Sequence, residues 1–195
     1  MVKTMNRKLK ISFNSPVVLT FSIICFSAYI LNIVTRGLTN NLLFSVYHSS
    51  LANPFTYIRF IGHVFGHAGW EHFIGNITLI LVVGPLLEEK YGSLNMSIVI
   101  ISTALVTGIV NYVFFPNTRL LGASGIVFAL ILLSSFTRIK EGEIPLTLIL
   151  VALIYMGGQI YDGIFIDDNV ANLTHILGGI VGFIAGYIMN SKSDI

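Results

Sequence analysis

Charged residues make up only 10% of this 195-residue chain, against 54% hydrophobic ones. A soluble domain carries about 25% charge, so the polar groups here are too few to cover a water-facing surface. The mean hydropathy of +0.83 agrees. Net charge is +2, which gives no basic face for a nucleic-acid partner. Cysteine occurs once, as Cys25 in an apolar run. A disulfide framework is therefore excluded, and a buried, inert thiol is the expected state. No small-residue cleavage site follows the basic residues Lys3, Arg7, Lys8 and Lys10. The apolar run from Val17 to Val34 is also too long for a signal-peptide core, so it reads as a retained first transmembrane helix. Internal repeats and low-complexity tracts are lacking.

What is present is a series of long apolar stretches. About 20 such residues cross a bilayer core as a helix, and six stretches qualify: about 16–35, 72–87, 95–115, 121–137, 144–161 and 170–190. The second and fourth are short, as spans inside a bundle can be, and Gly84-Pro85 is placed to kink the second. The fold expected is all-α, a polytopic six-helix membrane bundle. Its organisation is a short N-terminal segment (1–15), one membrane domain (16–190) and a short tail (191–195). The stretch from Arg36 to Glu71 is of mixed polarity and rich in aromatics, which suggests a long first loop lying in the interface. With the N-terminus inside, the inner segments hold Lys3, Arg7, Lys8, Lys10, Lys90, Arg138, Lys140 and Lys192. The outer ones hold Arg36, Arg59 and Arg119. This asymmetry puts both termini in the cytoplasm.

In that orientation the second, fourth and sixth helices all run from outside to inside. His72 and Asn76, Ser124, and His175 then share one level, about a turn below the outer surface. Polar groups inside a membrane are costly and are functional candidates by default. A serine hydroxyl needs an adjacent base to become a nucleophile, and His175 is the histidine at that depth outside the region 48–72. Gly122, Ala123 and Gly125 on the fourth helix, with Gly178, Gly182 and Gly186 on the sixth, are small enough to let the two helices approach closely. His72 and Asn76 are four apart on one helix face, and both can donate to a developing oxyanion, as can the backbone N–H of Ser124. Asp162, Asp167 and Asp168 are too superficial to complete a triad, so a Ser–His dyad is the expectation. Taken singly, Ser124 also reads as a packing serine and His175 as a buried histidine satisfied by a carbonyl. The shared depth is what favours chemistry. Ser134 and Ser135 read as packing groups, and His48 and His63 as loop residues.

These residues resemble the rhomboid intramembrane serine proteases, over about Arg59 to Gly186. The stretch Gly66-His67-Ala68-Gly69-Trp70-Glu71-His72-Phe73-Ile74-Gly75-Asn76 is similar to that family's second-helix signature. Gly122-Ala123-Ser124-Gly125 resembles its Gly-x-Ser-Gly motif, and Asn172-Leu173-Thr174-His175-Ile176-Leu177-Gly178-Gly179 its catalytic histidine followed by glycines. Glu88-Glu89-Lys90-Tyr91-Gly92-Ser93 is similar to the turn after its second helix. Two positions depart: Ile58 stands where a tryptophan often precedes Arg59, and Phe128 replaces a tyrosine four residues after the serine. The resemblance implies Ser124 as nucleophile, His175 as base, His72 and Asn76 as oxyanion stabilisers, and hydrolysis through an acyl-enzyme near the outer face. It implies transmembrane protein substrates and membrane lipids as partners and no metal or other cofactor, and it assigns no oligomeric state. A bacterial plasma membrane is the expected location from the chain's compactness and the lack of an obvious organelle presequence.

Two rival readings are weaker. His63, His67, Glu71 and His72 could suggest zinc, but Glu71 follows His67 by four residues where the His-x-x-Glu-His motif needs three, and His-Glu-x-x-His is missing. The soluble-hydrolase elbow Gly-x-Ser-x-Gly also fails, because Ile126 takes the last glycine's place. A small transporter or a non-catalytic binder of membrane helices is the other alternative, but paired broken helices in two repeated halves are not seen.

Overall fold

Apolar helices with too little polar surface must satisfy their backbone internally and turn hydrophobic side chains outward to lipid. That is the arrangement in the computed structural model, which describes residues 11–137, 144, 146–158, 161 and 169–191. The described residues are helical apart from loops and one isolated antiparallel bridge, Val46 to Leu120. The helices are α1 (Pro16–Val34), α2 (Leu38–Leu42), α3 (Pro54–Gly62), α4 (Trp70–Tyr91), α5 (Ser93–Phe114), α6 (Ser124–Ser134), α7 (Leu146–Val151) and α8 (Asn169–Ser191). Among the described residues four stretches are long and apolar enough to cross a membrane: Pro16–Val34, Trp70–Tyr91, Ser93–Phe114 and Asn172–Asn190. Their outer faces carry exposed Ile23, Phe26, Val82, Leu86, Ile98 and Ile184, as a lipid-facing surface should. The protein is thus an all-helical, polytopic membrane protein.

The fourth expected span is shorter than the apolar run that suggested it. α6 has 11 residues, all of Gly125, Ile126, Val127 and Ala129–Leu133 being buried. A helix apolar on every side belongs inside a bundle, and α6 is packed by α4, α5, α7 and α8. The fifth expected span, 144–161, lies partly outside the described residues; its described part is α7 followed by a π-helical turn, Ala152–Met156. The second is longer than expected. α4 begins at Trp70 and runs through Gly84-Pro85 to Tyr91, 22 residues, or roughly 33 Å. Pro85 ends nothing here. Residues 88–91, expected in a turn, are the last turn of α4, and the reversal falls on Gly92 alone, at φ 83°.

α1 starts at Pro16, whose fixed φ suits the first helical position. Its exposed N–H groups are capped from another helix: the Glu88 carboxylate accepts from the Val17 and Val18 N–H groups, each at 3.0 Å, and from the Ser93 hydroxyl at 2.7 Å. Nearby, a Cβ on Gly84 would lie 2.7 Å from Val18 Cγ2, so α1 crosses α4 at a glycine.

The long first loop is folded. Asn53 caps α3 by accepting from the Phe55 N–H at 3.0 Å, with Pro54 next. α3 exposes Phe55, Tyr57, Ile58 and Ile61 and buries Thr56, Arg59 and Gly62. Arg59 is fully buried among neutral partners. It donates to Ser49 Oγ (2.6 Å), Thr56 Oγ1 (3.0 Å) and Tyr47 Oη (3.2 Å), and its guanidinium lies 4.3 Å from the Tyr47 ring centroid. Gly62 and Gly66 meet the Leu43 and Phe44 carbonyl oxygens so closely that no side chain fits.

Candidate active site

α6 and α8 pack through glycines in register. A Cβ on Gly178 would lie 2.8 Å from the Gly125 carbonyl carbon, and one on Gly182 would lie 2.6 Å from that of Ala129. Gly186 meets the Phe136 ring. The order 125, 129, 136 against 178, 182, 186 makes the two helices parallel. α4 runs with them: its first turns lie against Gly122, while Lys90 at its far end donates to Asn190 Oδ1 (3.2 Å) and to the Phe136 carbonyl (3.5 Å). The beginnings of α4, α6 and α8 therefore share one end of the bundle.

Ser124 is the first residue of α6 and is half-buried. The first N–H groups of any helix lack intrahelical partners and present partial positive charge, so the Ser124 side chain stands beside donors that the helix itself does not use. The Val127 N–H is the first taken, by the Ala123 carbonyl at 3.0 Å. One turn on, Phe128 stacks face to face on the His175 imidazole, with centroids 4.5 Å apart and planes 2° apart. Residues four apart share a helix face, so His175 lies over the same face of α6 as Ser124. Thr174, next to it, packs on Gly125.

Gly122 is set at φ 128°, where L side chains rarely go. It is also where α4 closes in: a Cβ there would lie 2.7 Å from both Cε1 and Nε2 of His72 and 3.9 Å from Asn76 Nδ2. Asn76 is buried, and its Nδ2 has no hydrogen-bond partner among the described residues. A buried donor left unmade costs about 1–3 kcal/mol. Of the expected site residues, His72, Asn76 and Gly122 thus meet directly, and Gly125, Gly178 and Gly182 form the crossing that brings His175 to α6. Asp162, Asp167 and Asp168 lie outside the described residues.

Two further residues, read in the sequence as a loop histidine and as members of the rejected zinc cluster, lie beside the site. His63, expected in a loop, is buried, and its carbonyl accepts the Gly122 N–H at 2.9 Å, pinning that glycine. Its Nδ1 faces the Arg59 carbonyl and its Nε2 the Thr107 hydroxyl, each at 3.2 Å. Burial pushes its pKa down to about 4, against the pull of the Arg59 and Phe60 carbonyls, so the ring is neutral at pH 7. His67, fully buried, lies with its ring centroid 5.1 Å from that of His72. The signal was the run of histidines at 63, 67 and 72, whose spacing fits successive turns entering α4.

Helices that bare their apolar faces, enclosing a serine at a helix start, a histidine and uncommitted donors, define a polytopic membrane protein with a polar site inside the bundle. The chain belongs to the rhomboid family: the Rhomboid domain model matches residues 54–192. It is 31% identical over 165 residues to mouse Rhomboid-related protein 2, covering 74% of this chain and 54% of that protein. It is 29% identical over 140 residues to Rhomboid protease GlpG of Haemophilus influenzae, covering 67% and 68%. GlpG of Yersinia pestis is 23% identical over 177 residues, covering 88% and 62%. The chain spans 54% of the mouse protein and 39% of Rhomboid-related protein 1 of Caenorhabditis elegans.

Proposed function

We propose that this chain is an intramembrane serine endopeptidase that cleaves transmembrane proteins near the outer membrane face. The observation that carries the reading is the seating of His72 and the unpartnered Asn76 amide on Gly122, two residues before Ser124, with His175 stacked on the next turn of the same helix. Its membership of a family whose relatives include proteins named rhomboid protease supports it.

In this reading Ser124 Oγ attacks the scissile carbonyl carbon as His175 takes the hydroxyl proton. The carbonyl oxygen becomes an oxyanion facing Asn76 Nδ2, His72 and the first N–H groups of α6. Donors already in place and already desolvated strengthen as charge develops, which is the condition for lowering the barrier. His175 then passes its proton to the leaving amine, giving an acyl-enzyme on Ser124. Water, deprotonated by His175, attacks the ester, and as the acyl–Oγ bond breaks His175 returns that proton to Ser124 Oγ, freeing the carboxyl product. No carboxylate is required, and no metal or nucleotide enters any step. The finer placement, a bacterial plasma membrane with both termini cytoplasmic, rests on the charge asymmetry and on the match to bacterial GlpG proteins across most of the chain.

The test is cleavage of a single-span substrate by purified protein in detergent, comparing native chain, Ser124→Ala and His175→Ala, with and without EDTA. Cleavage that survives EDTA and is lost in both variants is expected. Cleavage persisting in Ser124→Ala would remove the nucleophile assignment. Where the substrate is a poor one, a fluorophosphonate probe should label the native chain at Ser124 and leave the alanine variant unlabelled.

A further inference from the structure

Among the described residues four buried side-chain polar atoms lack a hydrogen-bond partner, and two of them, Asn76 Nδ2 and His67 Nε2, flank His72. The first has its use as an oxyanion donor. The second is unexplained by the mechanism above. His67 lies just before α4, fully buried, in a bend whose carbonyl accepts from the Asn40 amide at 3.2 Å. Its Nδ1 sits 3.2 Å from the Phe65 carbonyl. A carbonyl can only accept, so Nδ1 carries the proton, and in the neutral ring Nε2 is a bare lone pair. Burial holds the ring's pKa down to about 4, against the Phe65 bond, so that lone pair persists at neutral pH. The ring meets Phe73 edge-on at 5.4 Å and His72 edge-on at 5.1 Å. Phe73 offers no polar group, and the neighbouring acid, Glu71, is exposed. His72 is a polar ring packed against His67, within reach of the lone pair's field.

We propose that His67 is a positioning residue for His72, its uncommitted Nε2 lone pair stabilising the positive charge that His72 gathers as it donates to the oxyanion. The inference rests on the role given to His72 above. In the ground state His72 is a neutral imidazole and the lone pair gains little from it. As the oxyanion forms, the His72 N–H is polarised, the ring becomes more positive, and an acceptor in a desolvated site interacts with it more strongly. An interaction that grows toward the transition state raises kcat and leaves substrate binding alone. It also explains why a buried acceptor is left open: a partner of its own would cancel the field.

The two amide replacements separate this role from a structural one. His67→Asn can place a donor where Nδ1 is and keep the Phe65 bond, but it loses the acceptor at the Nε2 position. His67→Gln reaches the Nε2 position and gives up the Phe65 bond. We expect His67→Gln to keep kcat within about threefold of native, and His67→Asn to lower kcat by about tenfold or more with KM and thermal midpoint unchanged, a smaller loss than removal of a direct oxyanion donor brings. In a His72→Ala background the same His67→Asn change should have no further effect, because interacting residues are not additive. The reverse order, with Asn retaining kcat and Gln losing it, would overturn the proposal, as would an undiminished Asn effect in the His72→Ala background. Should His67→Asn fail to fold, His67→Gln decides: folded with native kcat supports the role, folded with kcat reduced tenfold refutes it. Cleavage that persists in Ser124→Ala removes the catalytic reading and this inference together, whereas serine-dependent cleavage with the reverse order removes only this one.

Discussion

Gly178→Ala should separate the two halves of the proposed dyad. The added Cβ would lie 2.8 Å from the carbonyl carbon of Gly125 and 2.9 Å from its Cα, with the carbonyl oxygen nearer still. Non-bonded carbons settle at about 3.5–4.0 Å, so the clash is close to 1 Å. What it strikes is backbone in the first turn of α6, a helix packed on every side, and no rotamer change relieves it. The helices must part by about that much. His175 is three residues from Gly178, less than one turn, and moves with it. Overpacking a bundle costs about 1–3 kcal/mol, and a displacement of about 1 Å in a reacting pair costs on the order of 100-fold in rate. kcat/KM for a single-span substrate, with fluorophosphonate labelling as a second readout, should therefore fall by about two orders of magnitude while most of the protein stays folded. Two glycines calibrate the result. A Cβ on Gly125, across the same crossing, comes no closer than 3.4 Å, to Thr174 Cγ2, and one on Gly75 meets nothing within 4 Å. Gly125→Ala should lose far less activity than Gly178→Ala, and Gly75→Ala should be near native and about 1 kcal/mol more stable, as an alanine in a helix interior is. Gly178→Ala within about twofold of native, with an unchanged thermal midpoint, would refute the claim that this crossing sets the Ser124–His175 geometry.

Asn76→Ala should lower kcat by about 100- to 1,000-fold, the loss usual for one oxyanion donor, while leaving stability equal or slightly raised, since a buried donor without a partner disappears; a clear loss of stability would assign Asn76 to the fold instead. Glu88→Ala should cost about 2–4 kcal/mol in unfolding, because hydrogen bonds to a charged acceptor contribute about 1.5–3 kcal/mol and the Val17 and Val18 N–H groups lose theirs; a cost below about 1 kcal/mol would show that α1 holds its start without this cap. Stability should also depend on pH through His63. Its folded-state pKa is depressed to about 4, below the ordinary value near 6.5, so the unfolded chain binds the proton more readily. The contribution is fully present above about pH 6.5 and is lost as pH falls toward 4, by about 3 kcal/mol for the full shift. Unfolding midpoints measured from pH 7 to 4 should fall accordingly, less so in His63→Gln, and equal slopes in both proteins would exclude His63 as the source.

The parts of the fold legible in the sequence were those fixed by local pattern. Runs of apolar residues marked α1, α4, α5 and α8, because a bilayer demands that length whatever the neighbours are. The glycines at 178, 182 and 186 marked the crossing, because only small residues allow it. α3 was legible in principle: Asn53-Pro54 is a capping pair, masked by the loop's many aromatics. The far end of α4 extends beyond the apolar run that marks it, through Glu88-Glu89-Lys90, because Glu88 is buried against the start of α1. That burial is a long-range contact and not a local property. The burial of His63 and His67 was not legible for a similar reason. In sequence they sit in a polar, loop-like stretch; in the fold, Gly62 and Gly66 let the chain press against the Leu43 and Phe44 carbonyls, and that long-range contact buries both imidazoles. Burial is what turns them from loop histidines into neutral rings with defined tautomers, one pinning Gly122 through its carbonyl and the other facing His72. The expected nucleophile, base and oxyanion donors are side chains that composition and spacing can flag, because a polar group in an apolar helix is conspicuous. The residues that orient them are conspicuous only once the loop that holds them is seen to be inside.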